Sequence, residues 1–197
     1  MAYPTVSGPY GFVPVKMVSG TPYAGVTRLY SIASAYATDI FKGDAVKLVT
    51  GGTVERDTAD AAMTPIGVFM GCSYSDPTTG QLLFSNYWPG GTVAADAVAY
   101  VVDATDVLFK VAVVSSGTTI GDLALTDLGA NVAAVDNTGS TATGNSACAI
   151  SDTSATTDTL PFRIVELVAE TKNSSGGYTE ALVKWNAGHQ MDNTTGV

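Results

Sequence analysis

The sequence predicts an all-β protein, either a small β-barrel or a β-sandwich, with an extended N-terminal arm. Three observations support this fold class. Only 14% of the 197 residues are charged while 46% are apolar, whereas about 25% are charged in a typical soluble domain. Thr, Ser and Gly supply the missing polarity, and Thr and Gly are poor residues for a helix interior. Short apolar runs with period-two alternation are separated by turn sequences, which is typical of strands.

Residues 1–25 are predicted to form the extended arm. Prolines recur in it at Pro4, Pro9, Pro14 and Pro22, and they favour extended or turning backbone with few internal hydrogen bonds. The segment is too rich in apolar side chains for a solvated tail, so we expect it to lie over its own domain or over a neighbouring subunit. Its expected anchors on a neighbour are Tyr3, Tyr10, Phe12, Val15 and Tyr23.

Residues 26–190 are predicted to form a single β domain, which is long enough to bury a core. Its first part contains strand-like runs with short connections, a spacing expected of a sandwich or a small barrel. Short helical turns are expected at 34–41 and 57–63. The strand-like runs span residues 26–32, 45–49, 53–56, 65–74, 82–87, 98–102 and 107–113.

Three connections in this part have the composition of tight turns. Residues 50–53 read T-G-G-T and are predicted to form a hairpin turn. Residues 76–80 read D-P-T-T-G, in which Asp caps the backbone, Pro fixes φ and Gly accepts a positive φ. Residues 103–106 are predicted to join the last two strands of this part as a hairpin.

Residues 115–160 are predicted to be an irregular Thr/Ser/Gly-rich excursion from the same domain, in which short apolar islands pack as strands. Two clear strands then close the domain at 162–168 and 178–185, and N-S-S-G-G at 173–177 is expected to join them as a hairpin. Residues 191–197 are polar and are expected to form a loose tail.

The charge pattern argues against two classes of partner. Nine basic residues stand against 18 acidic ones, the net charge is −9, and the basic residues are scattered. Proteins that bind nucleic acid cluster Lys and Arg to neutralise phosphates, and an anionic membrane repels an acidic surface. We therefore expect neither nucleic acid nor a membrane as a partner. The prolines of residues 1–25 also interrupt the apolar run that a secretion signal needs.

We expect no enzymatic activity, no cofactor and no metal, because no constellation of residues points to such chemistry. The single histidine, His189, lies in the polar end of the chain, which leaves Ser–His and Cys–His mechanisms without a well-placed base. Dinucleotide-binding G-x-G-x-x-G and phosphate-binding P-loop motifs are absent from the sequence. The aspartates fall mostly at predicted turns, where capping of the backbone explains them. Cys72 and Cys148 are expected to be buried thiols.

Aromatic side chains are the remaining functional signal. Tyr87, Trp88 and Trp185 can be core residues, anchors of a protein interface, where Tyr and Trp are enriched, or stacking platforms for sugars. The sequence leaves these three roles open, and it makes Tyr87 and Trp88 candidate interface aromatics.

Several segments resemble a known family. Residues 40–48 read I-F-K-G-D-A-V-K-L, and residues 64–71, after the turn at 50–53, read T-P-I-G-V-F-M-G. The pattern is similar to head decoration (cement) proteins of tailed bacteriophages, in which a G-D-x-V-x-L strand, a Gly hairpin and a P-I-G-V strand recur in a small β-barrel. Residues 85–89 and 182–190 also resemble virion structural proteins of phages that infect cyanobacteria and other aquatic bacteria.

The resemblance implies a structural protein without catalytic residues, made in the cytoplasm of the bacterial host and located on the outer capsid surface of the virion. The partners it implies are the major capsid protein and further copies of the chain, most simply in a homotrimer. Two alternatives stay open, namely a receptor- or glycan-binding β module on the virion and a structural component of the tail tube or baseplate.

Overall fold

The computed structural model describes residues 8–171 and 178–188, and it confirms the predicted all-β fold class. Tyr3, the predicted turn at 173–177 and the predicted tail at 191–197 lie outside the described residues. Two 3₁₀ turns occur, at Asp60–Ala62 and Leu125–Asp127. The strands are β1 (Val13–Met17), β2 (Arg28–Ile32), β3 (Ile40–Phe41), β4 (Ala45–Leu48), β5 (Thr53–Arg56), β6 (Gly67–Ser75), β7 (Leu82–Ser85), β8 (Tyr87–Trp88), β9 (Val98–Val102), β10 (Val107–Ser116), β11 (Thr119–Ile120), β12 (Asn131–Val135), β13 (Ala149–Ala155), β14 (Phe162–Leu167) and β15 (Glu180–Trp185).

Five strands close into a first ring, which we call the N-terminal barrel. Their order is β4–β5–β2–β9–β6, and β6 pairs back with β4. The predicted turn at 50–53 joins β4 to β5 as an antiparallel hairpin, whereas β2 and β5 run parallel. Glycine is required at position 67 because a Cβ there would lie 2.4 Å from the carbonyl oxygen of Val102 on β9. The short pair β3–β8 lies beside this barrel. No helix forms at 34–41, where a helical turn was predicted; residues 34 and 35 form a turn and residues 40–41 are β3.

A second ring, the C-terminal barrel, closes in the order β10–β13–β12–β14–β15, with β15 pairing back on β10. β10 and β13 run parallel, and the predicted antiparallel pairing of the two last strands is present as β14–β15. Residues 115–160 are therefore less irregular than predicted, since they supply β12 and β13 to this ring. Two of their short apolar islands form these strands, as expected, and pairing on both edges stabilises them.

The predicted hairpin at 103–106 is wrong. β9 pairs with β2 and β6, while β10 pairs with β1, β11, β13 and β15, so this connection carries the chain from one barrel to the other. Both strands are apolar on both faces over most of their length, and such a strand does not reveal its pairing partner through its pattern.

One apolar core extends across both barrels. Val68 and Val102 of the N-terminal barrel belong to the same buried cluster as Phe109 and Phe162 of the C-terminal barrel. Trp185 stacks on Phe162 with 4.8 Å between ring centroids. A second cluster fills the interior of the N-terminal barrel.

The described part of the predicted arm is a strand and a core residue of the chain's own domain. β1 pairs antiparallel with β10, with Val13 opposite Lys110. Phe12 is 1% exposed and stacks on Phe162 at a centroid distance of 4.5 Å. Of the two locations that the sequence left open for this segment, its own domain or a neighbouring subunit, the described residues occupy the first. Pro14 is tolerated in β1 because a proline at an edge strand needs no ladder partner.

Candidate interaction surface

The hairpin β6–β7 projects from the N-terminal barrel and is held rigidly at its turn. The predicted turn at 76–80 is present, with the backbone N–H of Thr78 donating to Asp76 Oδ1 at 3.0 Å and Thr79 Oγ1 donating to Asp76 Oδ2 at 2.7 Å. Beside the turn, where Ser75 pairs with Leu82, Ser75 Oγ donates to Asp96 Oδ2 at 2.6 Å. These bonds lower the pKa of both aspartates. Side chains on β7 are therefore presented by a preorganised scaffold.

Three strands of this barrel, β2, β9 and β6, lie side by side with β7, and the outward side chains of these four strands form a surface that we call the β7 face. Residues directly opposite each other on antiparallel strands point to the same side of the sheet. A bulge at Met70 sets this register, with Gly71 opposite Tyr100 and Cys72 opposite Ala99. The β7 face consists of Leu29, Ser31, Ser73, Ser75, Leu82, Phe84, Val98 and Tyr100.

The β7 face is uncharged, and its large apolar side chains on β2 and β7 are exposed. The exposed fractions of Phe84, Leu29 and Leu82 are 73%, 61% and 59%. All eight side chains of the face are uncharged, although the chain carries a net charge of −9. Its hydroxyls are partly paired with one another, since Tyr100 Oη donates to Ser73 Oγ at 3.1 Å. A partner covering this face would bury apolar surface at little cost in desolvated polar groups.

The β7 strand also has a free edge. It pairs with β6 on one side, and within residues 8–171 and 178–188 no strand pairs with its other side. An unpaired edge carries backbone N–H and C=O groups that can accept a further strand, and natural proteins usually blunt such edges with charges or proline. Residues 81–87 contain neither.

A buried cluster of charged groups joins the two barrels. Arg56 of β5 reaches Asp44 with 3.3 Å between Nε and Oδ2, and it reaches Asp136 with 2.6 Å between Nη2 and Oδ1. Arg56 Nη2 also donates to the carbonyl oxygen of Asn137 at 2.8 Å. Burial raises the pKa of the Asp44 carboxyl, and the guanidinium opposes that rise. The cluster is an electrostatic link between the barrels, with both carboxylates bound to one cation.

The thiol of Cys148 belongs to the same cluster but is not activated by it. Its Sγ donates to Asp44 Oδ1 at 3.4 Å and to Asp136 Oδ1 at 3.3 Å. Burial and the Asp44 charge hold the pKa of this thiol well above its usual range, and burial raises the pKa of Cys72 to about 12. Both thiols are buried and unbridged, as predicted.

We therefore predict that neither thiol reacts with iodoacetamide in the native protein at about pH 8, because the thiolate is the nucleophile and both thiolates are suppressed. Mass spectrometry should find an unmodified chain, and it should find two adducts when the same reaction is run in urea. Fast native labelling of Cys148 would contradict the buried position of this thiol.

The structure separates the residues that the sequence proposed as anchors. Phe12 and Trp88 are corrected to core residues, with exposed fractions of 1% and 0%, and Trp88 packs edge-on against Tyr74 at 5.4 Å. Neither side chain is available to a partner. Large aromatic side chains are recognisable in a sequence, but whether one is buried depends on contacts with distant strands.

The other proposed anchors differ in exposure. Tyr10 is half-buried and donates a hydrogen bond to Glu180, and Tyr23 is half-buried and donates to the carbonyl oxygen of Val26 at 2.6 Å. Tyr87 is half-buried against Phe41, with 5.7 Å between ring centroids. Val15 is exposed. The partner-binding role of these four residues stays a prediction.

Leu29, Leu82 and Phe84 were not among the partner-binding residues that the sequence predicted. A usable signal was present in L-L-F at positions 82–84, because three consecutive apolar residues in a strand place apolar side chains on both faces. Recognising their exposure requires the knowledge that β7 lies at the end of its sheet.

No family of known proteins, no curated protein and no solved structure matches the chain. Among the described residues no helix is long and apolar enough to cross a membrane. No group of three or more His, Cys, Asp or Glu side chains in those same ranges is arranged to hold a metal ion.

Proposed function

We propose that the chain is a capsid decoration (cement) protein that binds the outer surface of a tailed-phage head and stabilises the shell. The β7 face carries this proposal, because an exposed, uncharged apolar surface on a rigid barrel marks a site of contact with other protein. The resemblance of residues 40–48 and 64–71 to decoration proteins supports it. Those segments lie next to each other in the N-terminal barrel, as the antiparallel pair β4–β6.

A face of this composition suits attachment to a protein shell. Covering one large apolar side chain contributes about 1.5–3 kcal/mol, and Leu29, Leu82 and Phe84 offer three such side chains on one surface. A protein that binds only the assembled shell stabilises that shell by mass action. The major capsid protein is the partner under this proposal, and neither nucleic acid nor a membrane takes part.

The charge and the thiols fit the same setting. With a net charge of −9, the chain is repelled by packaged DNA, which favours the outer side of a shell. Free thiols are typical of proteins that fold in a reducing cytoplasm, as a capsid protein made in the bacterial host does.

The proposal is tested on purified particles of the phage that encodes the chain. Quantitative mass spectrometry is expected to find the chain in a fixed ratio to the major capsid protein, and electron microscopy should place it on the outer head surface. Absence from intact particles would refute the proposal, and a position on the tail would support the tail-tube or baseplate alternative.

Binding to bare heads tests the role of the β7 face. The variant Phe84→Asp is expected to lose most of its binding to heads that lack the protein, because it places a charge in the contact. The matched control is Leu125→Asp, since Leu125 is 63% exposed but lies outside the β7 face. Equal binding by both variants would contradict the role of this face.

A glycan-binding module is the second candidate, and one observation favours it. Phe84 and Tyr87 line an open groove whose other walls include Asn86, Thr141 and Thr143, and an aromatic side chain beside polar groups is a possible sugar platform. Binding to a glycan array that is lost in Phe84→Ala would support this candidate. Against this candidate, Trp88 and Trp185 are buried, so two of the three aromatic side chains that the sequence offered as stacking platforms are not accessible.

A further inference from the structure

We propose that the chain forms a two-fold symmetric dimer in which the free β7 edges of two copies pair antiparallel. The β7 faces of the two copies would then lie side by side as one larger apolar surface. This inference rests on the same surface as the proposed function, but it uses the strand edge rather than the face.

The edge is self-complementary. Centring the antiparallel pairing on Leu83 places Leu82 of one copy opposite Phe84 of the other, and both side chains lie on the β7 face. Leu83 of one copy then lies opposite Leu83 of the other copy, on the side of the sheet away from the β7 face. Cross-strand pairs of aromatic and aliphatic side chains stabilise antiparallel strands, so both sides of this pairing bring apolar groups together.

Charge favours a second copy at this edge in particular. Two molecules that each carry a net charge of −9 repel each other over most orientations. Residues 81–87 are all uncharged. The nearby Asp76 carboxylate is bonded within the turn of the hairpin, and the carboxylate of Asp96, which precedes β9, accepts a hydrogen bond from Ser75 of β6. When two molecules approach each other along β7, neither strand therefore brings an acidic side chain against the other.

The surroundings leave the edge accessible. The segment at 141–144 approaches the chain at Asn86, where a Cβ on Gly144 would lie 2.9 Å from the Asn86 Cβ. That contact is beyond the end of β7, and the same segment also borders a groove with Phe84 and Ser85. Leu82 and Leu83 are exposed, and no strand within the described residues pairs with their outer edge.

The geometry points to a two-fold contact instead of the trimer that the resemblance implies. A three-fold ring joined by strand edges needs a second, different free edge to receive β7. The outer edge of β1 is not available for this, because the N–H of Tyr23 donates to the Val15 carbonyl at 3.1 Å and the N–H of Met17 donates to the Thr21 carbonyl at 2.8 Å. An isologous pair uses β7 twice and needs no other edge.

Sedimentation velocity and light scattering of the isolated protein test this inference. The wild-type chain is expected to run as a dimer of about 40 kDa, twice its mass of 20.1 kDa. Leu83→Lys should weaken the dimer at least about 100-fold, because it loses two buried leucines and opposes like charges. Leu125→Lys, which changes an exposed leucine elsewhere, should remain a dimer.

A charge-swap experiment makes the test specific. Mixing L83K and L83E chains is expected to restore a dimer that neither variant forms alone, because position 83 faces its own copy. For a measurement without any variant, hydrogen exchange of wild-type β7 amides should slow as protein concentration rises. A wild-type monomer at about 100 µM, a trimer, or a stable L83K dimer would each overturn the inference.

The outcomes separate this inference from the proposed function. A monomer that is present on phage heads would overturn the β7 dimer and leave the decoration role intact. A dimer that is absent from particles would refute the decoration role and leave the dimer standing.

Discussion

Replacing Arg56 with Met is expected to lower the free energy of unfolding by about 3–5 kcal/mol, because removal of one partner leaves buried charges uncompensated. Asp44 is fully buried, and Arg56 is the cation that contacts both Asp44 and Asp136. In a chain of this length the change corresponds to a fall in melting temperature of about 6–20 °C. Urea denaturation followed by tryptophan fluorescence measures it.

The matched control is Lys16→Met. Lys16 pairs with Glu166 at 2.7 Å between Nζ and Oε2, but both side chains are substantially exposed, and an exposed ion pair contributes about 1 kcal/mol or less. The double variant Asp44→Asn with Arg56→Met should recover part of the lost stability, since it removes an anion together with its cation. Equal, small effects of Arg56→Met and Lys16→Met would contradict the structural role of the cluster.

The pH dependence of stability is a second test of the Arg56→Met prediction. Burial raises the pKa of the Asp44 carboxyl, so the folded state favours the protonated form more than the unfolded state does. The unfavourable free energy of burying the charged Asp44 carboxylate is therefore relieved as the pH falls through the pKa of this group in the folded state. The stability deficit of Arg56→Met is expected to shrink when the pH is lowered from about 7 to about 5.

Replacing Phe12 with Ala is expected to destabilise the protein by about 3–5 kcal/mol, the usual cost of deleting a buried aromatic side chain. Phe12 stacks on Phe162 and lies 6.5 Å from Trp185 between ring centroids, so its loss opens a cavity in the shared core. Deletion of residues 2–24 should lower the melting temperature for the same reason. Both changes are measured on the isolated protein by thermal and urea denaturation.

Val15→Ala is the control for this experiment, because Val15 lies three residues further along the same segment and is exposed. It should change the free energy of unfolding by less than about 0.5 kcal/mol, as surface substitutions usually do. If Phe12→Ala and Val15→Ala have equally small effects, the segment would not contribute to the core, and the alternative of an arm that binds a neighbouring subunit would be favoured.

Local signals in the sequence predicted much of the secondary structure. The turn at 76–80 formed as expected because Asp, Pro and Gly each favour its backbone conformation within a few residues. The hairpin β4–β5 and the pairing β14–β15 followed from alternating apolar strands close in sequence. The absence of charge from residues 81–87 was also readable from the sequence alone.

The candidate surface was less predictable, because exposure is a property of the assembled sheets. Phe84 lies in the strand predicted at 82–87 and Trp88 directly after it, yet Trp88 is fully buried and Phe84 is 73% exposed. Trp88 lies against the core of the N-terminal barrel and donates through Nε1 to the Tyr36 carbonyl at 3.2 Å. Phe84 lies on β7, which extends beyond the closed ring.

The sequence by itself determined the all-β class, the positions of most strands and the tight turns between neighbouring strands, since these depend on residue type and spacing over a few positions. Only the tertiary structure decided that the chain closes two five-stranded rings, that 103–106 crosses between them, and that Phe12 completes the core. Strand pairing at long sequence separation is chosen by how buried faces fit together. A strand that is apolar on both faces, such as β9 or β10, fits several partners equally well until the whole core is assembled.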